Sequence, residues 1–159
     1  MTTPTDIEYL DEGRPTGSLW RGRHRTVIQS VGATRTLLAK ESGALCLFDR
    51  AAGNAYTLPT PVEGMSFHFV TTVAVTSNAQ SVTTSAATVF IGGSVTSGKL
   101  AAGMDVFQAD IAATVGISMA GSTTGGLIGS WFTLTALSAT TWAIKGYVVG
   151  SGTLATPFV

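Results

Sequence analysis

From Thr26 onward the chain is written in short runs of β-branched and aromatic residues, broken every few positions by Gly, Asn, Ser or Pro. That rhythm leaves little room for anything but strands joined by turns. The runs predict strands over 26–31, 35–39, 44–49, 55–58, 65–75, 80–84, 87–91, 104–111, 114–119, 130–137 and 141–149. The breaks predict turns at Ser42-Gly43, Gly53-Asn54, Pro59 to Pro61, Ser77-Asn78, Gly92-Gly93, Ser97-Gly98, Gly121 to Gly126 and Gly150 to Gly152. Helical pattern is scarce: Asp110 to Thr114 offers one turn, and Leu100-Ala101-Ala102 runs into Gly103. The expected fold class is all-β, a sandwich or barrel of the jelly-roll or β-tulip kind. Strand order is not written in these patterns.

Side chains alternate across a strand, so Met65, Phe67 and Phe69 should share one face, with His68 on the other. Trp142, Ile144, Gly146 and Val148 should likewise share a face opposite Lys145.

Charge divides the chain in two. Residues 1–50 hold seven of the nine Lys/Arg and six of the nine Asp/Glu, while residues 51–159 keep only Lys99, Lys145, Glu63, Asp105 and Asp110. A soluble surface is usually about 25–35% charged, so the body must cover its outside with hydroxyls or with a permanent neighbour. Residues 1–25 lack periodicity and read as an extended N-terminal arm, acidic at first and then Leu19-Trp20-Arg21-Gly22-Arg23-His24-Arg25. The domain division is therefore an arm, 1–25, and a β-rich body, 26–159. Thr- and Val-rich strands with few charges are also edge-pairing hazards, and an oligomer that covers those edges is expected.

The net charge of zero provides no global field toward nucleic acid or membrane. Cys46 stands alone in Leu45-Cys46-Leu47-Phe48; it has no partner for an intrachain disulfide and reads as a buried small hydrophobe. The N-terminus shows no secretory signal, and no run reaches the ~18–20 apolar residues of a membrane helix. Synthesis in a reducing cytoplasm with no membrane partner is the expectation.

Motifs for chemistry are weak. Gly93-Ser94-Val95-Thr96-Ser97-Gly98-Lys99 matches the phosphate-binding loop until Leu100, where Ser or Thr would hold magnesium; a turn ending in lysine is the simpler reading. The two histidines, His24 and His68, and the lone cysteine lack the spacing of a zinc site, and His68 reads as a surface or interface residue. There is no G-x-S-x-G elbow. The spacing of Asp105 and Asp110 aligns them on neither a helix face nor a strand face. No metal, no cofactor and no catalytic residue is expected. Trp20 with Arg21, Arg23 and Arg25 is the best binding candidate, because Trp and Arg are enriched at interaction hot spots. Three arginines on a neutral protein are a small footprint for nucleic acid. Phe158, in the apolar ending Leu154 to Val159, either docks as a second strand or closes the β-body.

Ser42-Gly43-Ala44-Leu45-Cys46-Leu47-Phe48-Asp49 leads to Gly53-Asn54-Ala55-Tyr56-Thr57-Leu58-Pro59, then to Gly64-Met65-Ser66-Phe67-His68-Phe69-Val70 and a turn at Thr76 to Ala79. This phrase resembles one found in small proteins encoded beside tailed-phage capsid genes. The ending, Trp131-Phe132-Thr133-Leu134 and then Trp142-Ala143-Ile144-Lys145-Gly146, is similar to their closing hairpin. Such proteins are capsid decoration (cement) proteins and head or tail fibre modules. The resemblance implies a β-rich homotrimer on the outer capsid surface of the virion, bound to the major capsid protein and stabilising the head. Trp20, Arg21, Arg23, Arg25 and Phe158 are then the docking candidates. The alternative is a fibre or spike module that binds host glycans, which exposed aromatics over a shallow groove would favour.

Overall fold

The computed structural model describes residues 25–29, 32–99 and 103–159. All but the last residue of the predicted arm therefore lies outside the described residues.

Eleven strands form two sheets, with one 3₁₀ turn, Ala39–Glu41, among the described residues. They are β1 (Val27–Ile28), β2 (Thr34–Thr36), β3 (Leu45–Phe48), β4 (Ala55–Thr57), β5 (Ser66–Thr71), β6 (Gln80–Thr83), β7 (Phe90–Lys99), β8 (Met104–Ala109), β9 (Gly116–Met119), β10 (Trp131–Ala136) and β11 (Thr141–Gly150). The larger sheet has the order β1-β3-β5-β10-β11-β7-β8, and the smaller β2-β4-β6-β9. Their inner faces share one core, so the all-β expectation holds in the form of a two-sheet sandwich.

The first six strands alternate between the sheets, and successive strands within each sheet run parallel. The chain thus coils: Val27 lies beside Leu45 and Leu45 beside His68, while Thr34 lies beside Ala55 and Ala55 beside Ser81. Turns carry each passage across. Gly43 and Gly53 take left-handed backbone (φ 88° and 79°), and Asn78 does so at φ 58°, its side chain donating to the Ala52 carbonyl. Arg35 and Glu41 pair at 2.6 Å, and the Glu41 carboxylate accepts from the Leu38 amide, fixing the 3₁₀ turn beside β2.

The remaining strands close the coil. β10 and β11 form an antiparallel hairpin beside β5, β9 pairs with β6, and β7 lies parallel to β11 over its full length. The last residues run along β9: Val115 and Gly116 donate to the Val159 carbonyl, and Ser118 donates to that of Pro157. Phe158 is bridged to Ile117 and packs against the core. Of the two roles open to the C-terminus, closure of the body is the one seen.

Alternation places the core. Phe67 and Phe69 of β5, Phe132 and Leu134 of β10, and Trp142, Ile144 and Val148 of β11 are buried from the larger sheet, facing Tyr56, Val82, Ile117 and Met119 of the smaller. Phe48, Phe69, Tyr56 and Phe132 make a ring cluster with centroid separations of 5.0–6.2 Å. Cys46 is fully buried there, and burial pushes its thiol up to about 12.

The strand expected over 35–39 ends at Thr36 ahead of the 3₁₀ turn, and the one expected over 65–75 ends at Thr71; the largest departure from the sequence reading is at β7. The expected turns at Gly92-Gly93 and Ser97-Gly98 lie inside the ten-residue strand β7. Gly93 sits at φ 109°, and a side chain there would meet the backbone of Ile144 on β11. The glycine marks a close approach of two strands rather than a break between them. The segment resembling a phosphate loop is thus a strand, with its backbone committed to the ladder. The single turn at Asp110–Thr114 does form: Ala113 and Thr114 donate to the Asp110 carbonyl, and the Asp110 carboxylate accepts from the Ala112 amide.

Candidate functional site

The outer face of the larger sheet follows from the same alternation. Ser66, His68 and Val70 of β5 point outward, as do Trp131, Thr133 and Thr135 of β10 and Ala143, Lys145 and Tyr147 of β11. Register then sets them side by side. Leu45, His68, Thr133, Lys145 and Ser94 form one row across five strands, and Leu47, Val70, Trp131, Tyr147 and Thr96 form the next. Apart from Thr96, the second row is apolar and aromatic. It ends on the edge strand β8 at Val106, which is 70% exposed.

Over the first row lies a shallow depression of about 540 Å³, lined by Arg25, Ser66, His68, Trp131, Thr133 and Lys145 among others. Neighbouring strands lie about 4.8 Å apart, so His68 and Lys145, on either side of Thr133, have backbones roughly 10 Å apart. Trp131 stands two residues along β10 from Thr133, 46% exposed. Tyr147 leans across β7 over Gly98, where any side chain would collide with its ring.

The electrostatics are one-sided: among the described residues three basic side chains line the depression and no carboxylate does. His68 Nδ1 lies 2.9 Å from Thr133 Oγ1. Desolvation, then the positive charges of Arg25 and Lys145, hold the His68 imidazolium below its usual range. A histidine beside a hydroxyl is a fragment of a nucleophilic site, but among the described residues no lining carboxylate orients this imidazole. The neighbouring backbone amides of β5 and β10 are spent on the strand ladder rather than aimed at a reacting atom. The arrangement is suited to holding an anion or a polar ring.

Of the predicted docking residues, Arg25 reaches this site, while Trp20, Arg21 and Arg23 lie outside the described residues. Phe158 is distant in role, since it packs into the core beside β9. Asp105 stands on the exposed edge strand and Asp110 caps its own turn, so they form no acid pair. Among the described residues no group of three His, Cys, Asp or Glu could hold a metal, and no helix is long and apolar enough to cross a membrane.

Trp131 and Thr133 were not candidates from sequence. The signal was present in the alternation of Trp131 to Thr135 and Ser66 to Val70, but it gains meaning only once β5 is known to pair with β10. In comparisons with known proteins, no family model, no curated protein and no solved structure matches the chain.

Proposed function

We propose that this chain is a structural, non-enzymatic virion protein: a decoration protein that binds the major capsid protein on the outside of a tailed-phage head and stabilises it. The carrying observation is the outer face of the larger sheet, an ordered surface whose rows hold Lys145 as their one charged side chain, with Arg25 at the rim. Such a face works by area rather than by chemistry, since apolar burial contributes about 25 cal/mol per Å² before association costs. On this reading the arm provides the anchor through Trp20, Arg21, Arg23 and Arg25. A homotrimer would multiply each weak contact through effective concentration, and the exposed edge β8, with Met104 and Val106, is where copies would meet.

The test is co-sedimentation with capsids, with and without residues 1–25, alongside native mass by light scattering. Shell binding lost on deletion of the arm, and a mass three times 16.3 kDa, would support the reading. Unchanged occupancy and a monomer would overturn it.

A second reading, a fibre or spike module that binds glycans, is favoured by one specific observation: Trp131 stands half-exposed beside a shallow, hydroxyl-lined depression.

A further inference from the structure

We propose that the depression on the larger sheet binds an acidic saccharide, a sugar ring carrying a carboxylate; this rests on the glycan reading and narrows it. Three features of the site converge on that ligand. Trp131, 46% exposed, lines the depression, and the negative face of an aromatic ring attracts the slightly positive C–H face of a sugar. Ser66, Thr133, Thr135 and His68 place hydrogen-bonding groups on the same surface. Arg25 and Lys145 provide positive charge, and among the described residues no carboxylate lines the depression. Desolvation by burial, and after it the charges of Arg25 and Lys145, lower the proton affinity of His68.

The size is right for one or two sugar rings, because small-molecule sites are commonly about 300–1,000 Å³. Position in the sheet argues against an acidic peptide. β5, β10 and β11 are interior strands whose backbone groups are all engaged with neighbours. An extended peptide laid here gains no main-chain hydrogen bonds, which supply most of the affinity when a strand adds to an edge. A sugar needs none. It presents hydroxyls to hydroxyls, an apolar face to the indole, and an anion to Lys145 and Arg25 through charge-assisted hydrogen bonds.

The experiment titrates the full chain with three probes, read by the indole N–H of Trp131 and the amides of 66–70, 131–135 and 143–147. The probes are a glucuronate-containing oligosaccharide, a neutral oligosaccharide of the same length, and a glutamate-rich peptide. The acidic sugar should bind most tightly and weaken as salt rises, since exposed charges are screened within about 10 Å at 0.1 M. K145Q should weaken it about tenfold, as expected for loss of one charge-assisted hydrogen bond, and leave the neutral probe unchanged. W131A should abolish binding of both sugars while the dispersion of the remaining amide signals shows the fold intact. Equal binding of acidic and neutral sugars would overturn the acidic preference and leave the glycan reading standing. No binding of either sugar would overturn both. Equal perturbation by the peptide would identify a docking surface for protein carboxylates and overturn the saccharide.

Discussion

Replacing Gly93 by Ala is the sharpest test of the way β7 lies against β11, because Gly103 provides an internal control. Both glycines sit in the same left-handed region, at φ 109° and 105°. A side chain at Gly103 would meet open space, whereas one at Gly93 would meet the backbone of Ile144. A non-glycine residue at such a φ costs of order 1–3 kcal/mol, and Gly103→Ala should lose that much and no more. Gly93→Ala must also push β7 away from β11 along a ladder running from Phe90 and Thr141 to Lys99 and Gly150. Each ladder hydrogen bond disturbed costs about 1 kcal/mol, so the second variant should be worse than the first by about 2 kcal/mol or more. With a urea slope near 2 kcal/mol per M, the two midpoints should differ by about 1 M. Coincident midpoints with unchanged slopes would refute the close approach. They would restore a solvent-facing turn at Gly92-Gly93.

Three further outcomes follow from particular contacts. Thr71 donates to the Gln80 side-chain oxygen at 2.9 Å in a buried link between the sheets; Thr71→Val should cost about 1–3 kcal/mol in urea unfolding by leaving that acceptor unpaired. Cys46, fully buried with its thiol pushed up to about 12, should resist a thiol reagent at pH 8 in the native protein and react at once in denaturant. His68 should titrate below 6.5 by NMR, and K145Q should raise that value by removing one of the two cations that oppose protonation. Between the native value and 6.5 the unfolded chain binds more protons, so the His68 contribution to stability rises with pH there and is lost on acidification through that window.

The inward half of this molecule was legible in the sequence because period-2 burial needs no partner to be recognised. Phe67 and Phe69 against His68, and Trp142, Ile144 and Val148 against Lys145, fall on the faces that alternation assigns. The turns at Gly43, Gly53 and Asn78 were legible for a similar reason, since left-handed backbone has few tolerant residues. Strand pairing was not. Nothing local to Val27 says that it lies beside Leu45, or that β7 runs parallel to β11. Glycine misled at Gly92-Gly93 because a tight turn and a close strand approach make the same demand on a side chain. The candidate site inherited that blindness: its residues come from the arm's end and from β5, β10 and β11, and only register brings them together.

The residues on which the expected likeness to phage head proteins rests fall on both sides of this division, and those on the inner side have a structural role. Gly43, Phe48, Gly53, Tyr56, Leu58, Phe67 and Phe69 are the turns and buried rings of the coil. They specify how the chain winds, and one winding can present many different surfaces. The residues that would meet a partner alternate with them: Ser66, His68 and Val70 between the buried positions of β5, and Trp131, Thr133 and Thr135 between those of β10. Substitutions in the first set will therefore be read as stability whatever the protein does, since a truncated core ring costs about 3–5 kcal/mol. Substitutions in the second set, His68 and Thr133 apart, should change stability by about half a kcal/mol or less, so any effect on shells or saccharides can be assigned to recognition. His68 and Thr133 are the informative exceptions. Their hydrogen bond ties β5 to β10, and Thr133 is buried, so His68→Ala or Thr133→Val will mix the two readouts, whereas Lys145→Gln and Trp131→Ala keep them apart.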